Sequence, residues 1–240
     1  MLDEVTVLAA VPTLLRALCA EPSFKAPRVR VVLTGGEPFG PALAKKVARC
    51  FPVARIFDLF GLTETGSCDF CATSDDDALA NGTIGRPMEG VAFRVAAAPD
   101  LGLPAGAGEL QIRSPARMLG YLDDPLLTEN AFESDYFKTG DLAAVREDGY
   151  LRLVGRSKDT VSRAGNKIGP LEVENLFAQH EGVAAALAFG MPDERLGESL
   201  HLMIVRHDPC LSESDCANGR ASASSDSKYP TPSISLIPFR

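Results

Sequence analysis

The residues best suited to chemistry sit in "DLFGLTETG", residues 58–66. Leu59 and Phe60 run into Gly61, and Thr63, Glu64 and Thr65 follow at once. A hydroxyl beside a carboxylate suits a phosphate and a Mg²⁺ ion, because Mg²⁺ prefers one carboxylate shared with substrate phosphates. The same residues also make an ordinary polar turn at a strand end, and taken alone the stretch supports both readings. Thr34-Gly35-Gly36-Glu37 is a second candidate, since paired glycines after a strand permit tight turns and close ligand approach. Other reactive side chains point elsewhere. Cys68 and Cys71 have CxxC spacing, but no second close pair or neighbouring His completes a zinc set. Asp75, Asp76 and Asp77 lack the alternation and terminal Glu of a calcium loop and read as a solvated run. His180, His201 and His207 fall at no motif and read as surface or core histidines.

The elements that position the candidates follow from hydrophobic patterning. The start, "MLDEVTVLAAVPTLLRAL", reads as a strand and then a short helix opening at Pro12-Thr13; its acidic residues do not suit a signal peptide. "VRVVL", residues 29–33, is a β-branched run of the kind a doubly covered parallel strand shows. Leu43, Val47 and Phe51 then recur at helical spacing, and "VARIF" predicts the next strand, leading into the opening stretch. Both polar loops therefore lie at C-terminal strand ends, where open α/β sheets bind ligands. From about 82 to 157, "VAFRVAA", "GELQIRS" and "GYLRLVG" alternate between Gly and Pro turns, which predicts an antiparallel or barrel-like region. A helix is expected near Leu171, followed by strands in "VAAALAFGMPD" and "SLHLMIVRHD". Glu172 and Glu174 read as helix N-terminal charge favoured by the macrodipole. The Ser-, Ala- and Pro-rich tail is expected to be flexible in its middle.

Composition narrows the function classes. The 240 residues are 45% hydrophobic and 23% charged, enough for one large or two smaller cores. A formal charge of -8 argues against a sequence-independent grip on nucleic acid, which needs clustered Lys and Arg. The six cysteines do not form a secreted disulfide pattern, and no apolar run reaches membrane-span length. A soluble, cytoplasmic protein is the expectation, with organelle targeting left open.

Order and spacing carry more than any single motif. "LTGGEPFGPALAKKV", "DLFGLTETG", "GTIGRPMEGV", "GELQIRSPARMLGYLDDPLLTENAF", "YFKTGDLAAVREDGYLRLVGRSKDTVSRAGNKIGPLEVEN" and "LAFGMPDERLGE" follow one another. In that order, from residue 1 to about 206, they resemble the adenylate-forming superfamily, most closely its acyl-CoA synthetases. The resemblance implies an α/β fold: residues 1–157 as the C-terminal portion of the large AMP-binding domain, then a small, mobile α+β domain over 158–240. Within the first, 1–66 would be a parallel-sheet segment and 67–157 a mostly β, barrel-like subdomain. The second would be incomplete, with a flexible tail from about 208. It implies a ligase that joins a carboxylic acid to AMP from Mg·ATP, releases pyrophosphate, and passes the acyl group to coenzyme A. Gly35, Gly36 and Glu37 match the loop bordering the adenine, and Phe60 the aromatic residue stacking on it. Asp58 and Gly61 belong to the same nucleotide-facing stretch. Thr63 matches the hydroxyl at the α-phosphate and Glu64 the Mg²⁺ carboxylate. Asp141 matches the acceptor of the ribose hydroxyls, Arg156 a nucleotide-contacting arginine, and Lys158 the hinge between two catalytic poses. Gly165 and Lys167 lie in the segment that swings in for thioester formation.

The pattern also departs from the family. The phosphate loop expected upstream of Met1 and the lysine segment expected near the C-terminus are not in the chain, so a weakly active or inactive fragment truncated at both ends is the expectation. Phe60 replaces Tyr, and Ala164 stands where a second Gly is common. The "VSRAGNKIGPLEVE" wording leans towards short or dicarboxylic acyl groups. The alternatives are an adenylation domain that loads a carrier protein, and a non-catalytic nucleotide-binding remnant.

Overall fold

Three short parallel strands begin the fold: β1 (Val7–Ala9), β2 (Val31–Gly35) and β3 (Arg55–Phe60). The structure is a computed structural model that describes residues 4–75, 77–101, 103, 106–178, 180, 182–206, 210–212 and 233–238. Helices α1 (Pro12–Leu18) and α2 (Pro41–Cys50) make the crossovers. Both start at a proline, whose fixed φ and missing N–H suit the first helical turn. Leu43, Ala44, Val47 and Cys50 line the buried face of α2, against Val32 of β2 and Ile56 of β3. The strand–helix–strand unit read from the sequence is present. Its strands begin two residues later than the runs "VRVVL" and "VARIF" and run past their ends, so Gly35 closes β2 and Asp58–Phe60 belong to β3 itself. The sheet then turns antiparallel through β4 (Phe70–Thr73) and β5 (Arg86–Pro87), in the order β1-β2-β3-β4-β5.

A second sheet contains β6 (Ala92–Ala97), β7 (Ala107–Arg113), β8 (Phe132–Glu133), β9 (Tyr136–Val145) and β10 (Leu151–Arg156). Its order is β10-β9-β7-β6, with β8 on β9. Phe70, Ile84, Leu110, Ile112, Ala143 and Leu151 form its buried cluster. A helix the patterning did not predict, α3 (Pro125–Ala131), precedes β8. Its signal is short but legible: the Asp124 carboxylate accepts from Leu127 N at 2.8 Å, and Pro125 opens the helix.

The third sheet holds β11 (Val161–Arg163), β12 (Asn166–Ile168), β13 (Val183–Asp193), β14 (Gly197–Arg206) and β15 (Ser233–Pro238), with α4 (Pro170–Phe177) between β12 and β13. The order is β12-β11-β14-β13, and β15 joins β14 in parallel. Val173 and Phe177 of α4 pack on Val183, Leu200, Leu202 and Ile204. The tail expected to be flexible lies outside the described residues, apart from 210–212 and β15.

The chain divides into two compact units. One comprises Met1–Ala96, Glu109–Thr139 and Ala143–Leu153, and the other Ala97–Gly108, Gly140–Leu142 and Val154–Arg240. Among the described residues, no helix is long and apolar enough to cross a membrane.

Candidate functional site

In the first unit, the site is built on the ends of β2 and β3. A Cβ on Gly35 would stand 2.4 Å from the Leu59 carbonyl oxygen, so the two strands close only around a glycine there. Gly36 follows at φ +80°. The Glu37 side chain is engaged by the start of α1: Thr13 N and Thr13 Oγ1 donate to its Oε2 at 2.9 and 2.6 Å. The carboxylate thus caps α1, whose own N-cap residue Val11 has no side-chain acceptor. With its carboxylate so engaged, Glu37 is left to border a ligand through its backbone.

The β3–β4 connection forms the second wall. Gly61 passes so close to the Ser67–Cys68 peptide that a Cβ would lie 2.4 Å from the Ser67 carbonyl carbon. Thr63–Thr65 make one 3₁₀ turn, closed by Thr65 N and Ser67 N donating to Leu62 O. Thr65 is buried, and its hydroxyl donates to the buried Asp69 carboxylate. Burial pushes Asp69 above the usual carboxylate range, opposed by the Thr65 hydroxyl. This internal bond leaves Thr63 exposed and Glu64 half-buried, so the two side chains read as chemical are the two not needed to hold the turn.

Glu64 is held from a distant segment. The Tyr121 hydroxyl donates to Glu64 Oε1 at 3.1 Å, and Met118 N donates to Glu64 O at 2.8 Å. Burial and the adjoining Glu64 raise the Tyr121 phenol above its ordinary range. Phe60 is half-buried, its ring edge-on to Phe70 at 6.0 Å, which leaves part of it open. Asp58 lies in register with Thr34, whose buried hydroxyl has no hydrogen-bond partner. Burial pushes the Asp58 carboxyl up to about 7.

In the second unit, Asp141 and Arg156 form an ion pair, Nε to Oδ1 at 2.8 Å, with the carboxylate 10% exposed. Burial raises Asp141, and the Arg156 guanidinium opposes it. The preceding Gly140 sits at φ +71°, and Ser157 Oγ donates to its carbonyl at 3.2 Å. Lys158 is exposed within the 3₁₀ turn Ser157–Asp159. Gly165 occupies the two-residue turn between β11 and β12, and Lys167 Nζ donates to Ser162 Oγ at 3.2 Å. Glu174 ties α4 to β13 by accepting from Ala188 N at 2.9 Å, a structural bond.

The donor set fits Mg²⁺ bound together with phosphates. Among the described residues no three His, Cys, Asp or Glu side chains cluster as an all-protein metal cage. Mg²⁺ is commonly held by one or two carboxylates together with substrate phosphates, and Glu64 offers one carboxylate, hydrogen-bonded by Tyr121. Sequence reasoning missed Tyr121 and Asp69, which touch this turn from positions carrying no local signal of it.

Residues 3–122, half of the chain, match the family described as AMP-binding enzyme. The chain belongs to that family. Relatives of this AMP-binding chain include a methyl-dioxo-octahydro-indenyl propanoyl:CoA ligase of Rhodococcus jostii, 31% identical over 82% of this chain and 37% of its own length. A fatty acid–[acyl-carrier-protein] ligase of Streptomyces coeruleorubidus is 34% identical over 84% of this chain and 40% of its own. Among solved structures, ATP-bound MatB from Rhodopseudomonas palustris superposes with a TM-score of 0.85 at 26% identity, over 98% of this chain and 48% of its own. The o-succinylbenzoate coenzyme A synthetase of Bacillus subtilis, in complex with ATP and magnesium, gives 0.80 at 26% identity over the same shares. The α/β fold is that of the adenylate-forming enzymes. The chain spans about two fifths of the length of the curated relatives it matches.

Proposed function

We propose that this chain carries the nucleotide-facing part of an ATP-dependent acid–thiol ligase that makes an acyl-adenylate and then an acyl-CoA. The observation that carries the reading is the turn after β3, where Thr63 stays exposed and Glu64 is oriented by Tyr121, in a chain of the AMP-binding family. In the first step a carboxylate oxygen attacks the α-phosphorus, and the bond to pyrophosphate breaks. Thr63 would donate to an α-phosphate oxygen as negative charge builds there. Glu64 would hold Mg²⁺, which when bound neutralises phosphate charge. Phe60 would face the adenine, with the backbone of Gly35, Gly36 and Glu37 along its edge. Asp58 and Gly61 would complete that wall. Asp141 would accept from both ribose hydroxyls, and Arg156 would hold the nucleotide.

In the second step the coenzyme A thiolate attacks the acyl carbonyl and AMP leaves. Lys158 would serve as the hinge that turns residues 158–240 as a small mobile domain, presenting Gly165 and Lys167 to the thiol. A cytoplasmic location accompanies this reading. The relative that acts on an acyl-carrier protein favours a second reading, in which the acceptor thiol sits on a carrier domain. Because the chain spans about two fifths of its curated relatives, we propose that by itself it binds nucleotide but turns over slowly or not at all.

Calorimetric titration of the chain with AMP tests the site. Asp141→Ala should weaken binding by about tenfold or more, since two ribose donors lose their acceptor. Asp141→Asn, which keeps one acceptor, should fall between. Unchanged affinity in both variants refutes the assignment.

A further inference from the structure

Residues 114–121 run alongside the Thr63–Thr65 turn, joined to it at three places. Ala116 packs so tightly beneath Gly66 that a Cβ there would approach to 2.5 Å. Met118 N holds the Glu64 carbonyl, and the Tyr121 hydroxyl reaches the Glu64 carboxylate. Tyr121 is itself fixed from behind, because its N–H donates to Thr128 Oγ1 at 2.8 Å. Thr128 Oγ1 in turn donates to Asp124 O at 2.9 Å, and Asp124 caps α3. The strap is therefore anchored in a helix, and both the main chain and the side chain of Glu64 are bonded to it.

A free glutamate side chain rotates through several rotamers, and a metal that binds it must first order them. One donor on one carboxylate oxygen selects a rotamer, and it leaves the second oxygen open to a cation. Carboxylate ligands are commonly held in this way by an outer partner, and losing that partner lowers metal affinity while leaving the ligand in place.

We infer that Tyr121 is a positioning residue for Glu64: its hydroxyl, backed by Thr128 and α3, presets the carboxylate that receives Mg²⁺ with the nucleotide. The inference rests on the reading of Glu64 as the metal carboxylate, and it names the residue that tunes that carboxylate. Tyr121 touches neither metal nor nucleotide in this role. Its effect is on the Mg²⁺ concentration the site requires, and nucleotide recognition without metal is untouched.

The test is a calorimetric titration of ATP onto the chain over a series of Mg²⁺ concentrations, for the parent, Tyr121→Phe, Glu64→Gln and the double variant. Thermal unfolding of each is followed alongside. Tyr121→Phe should raise the Mg²⁺ concentration for half-maximal enhancement by roughly three- to tenfold, the loss expected for one hydrogen bond to a partly exposed carboxylate. ATP affinity in EDTA should stay at the parent value. In the Glu64→Gln background the Tyr121→Phe change should have no further effect on the Mg²⁺ dependence. Thr128→Val, which keeps the phenol but frees its backbone, should give a smaller shift in the same direction. A Glu64→Gln variant that loses its Mg²⁺ response while Tyr121→Phe keeps the parent's overturns the inference and leaves the Glu64 reading standing. Equal shifts from Tyr121→Phe in both backgrounds also overturn it. An unaltered Mg²⁺ response in Glu64→Gln, or none in the parent, overturns the reading of Glu64 and the inference together.

Discussion

Replacing Asp58 with Asn should stabilise the protein at neutral and alkaline pH, by an amount that can be worked from its surroundings. Asp58 lies on β3 between Thr34 of β2 and Ala72 of β4, both buried. Burial alone lifts its carboxyl from an ordinary 3.8 to about 7. The folded state therefore retains a proton between those values that the unfolded chain has already released. Stability contributed by this proton is full below about pH 4, falls as pH rises through the window, and levels off above about pH 7. The rise spans roughly three pH units at about 1.4 kcal/mol each, an upper value near 4 kcal/mol. Because Asp58 is not fully buried, relaxation and water should reduce this to about 2 kcal/mol. Asparagine keeps the shape and cannot ionise. Urea unfolding followed by circular dichroism, which suits a chain without tryptophan, should be run on both proteins at several pH values from about 4 to 8. The stability gap in favour of the Asn variant should widen by about 2 kcal/mol across that range, with all other carboxylates cancelling. A gap that stays constant with pH refutes the reasoning, because it would mean that Asp58 titrates alike in the folded and unfolded chains.

Two backbone positions give further tests. Ala164 and Gly165 turn β11 into β12 with φ values of +48° and +82°, the two left-handed residues a type I′ hairpin needs. A left-handed alanine costs about 1–2 kcal/mol, partly offset by the entropy of an added glycine, so Ala164→Gly should stabilise by about 0.5 kcal/mol in urea unfolding; a loss of stability contradicts the turn. Gly85, at φ +83°, faces β4 so closely that a Cβ would stand 1.8 Å from the Cys71 carbonyl oxygen. Gly85→Ala should therefore cost about 3 kcal/mol or more and lower the thermal midpoint; an unshifted midpoint would show that the strands do not meet there.

The positions of these tests separate what is legible in the chain from what is not. Local pattern determined the β2–α2–β3 unit, because β-branched runs and helical spacing are both encoded within a few residues. Motif order over some 200 residues determined the family, since that succession survives where single motifs are ambiguous. Helix α3 was within reach through Asp124 and Pro125, but its seven residues are too few to establish a period.

Only the tertiary structure decided which side chains are already committed to holding the fold. Glu37 looks like a site residue in sequence, yet its carboxylate is engaged by Thr13, 24 residues away. Glu64 and Tyr121 are 57 residues apart and are joined only because the strap before α3 returns alongside the β3–β4 turn. Asp58 becomes a titrating group near neutrality through burial on a strand with partners on both sides. Spacing along a chain specifies periodicity and local turns. Burial and long-range hydrogen bonds depend on register and on the path of intervening loops, which exist only once the sheets have formed.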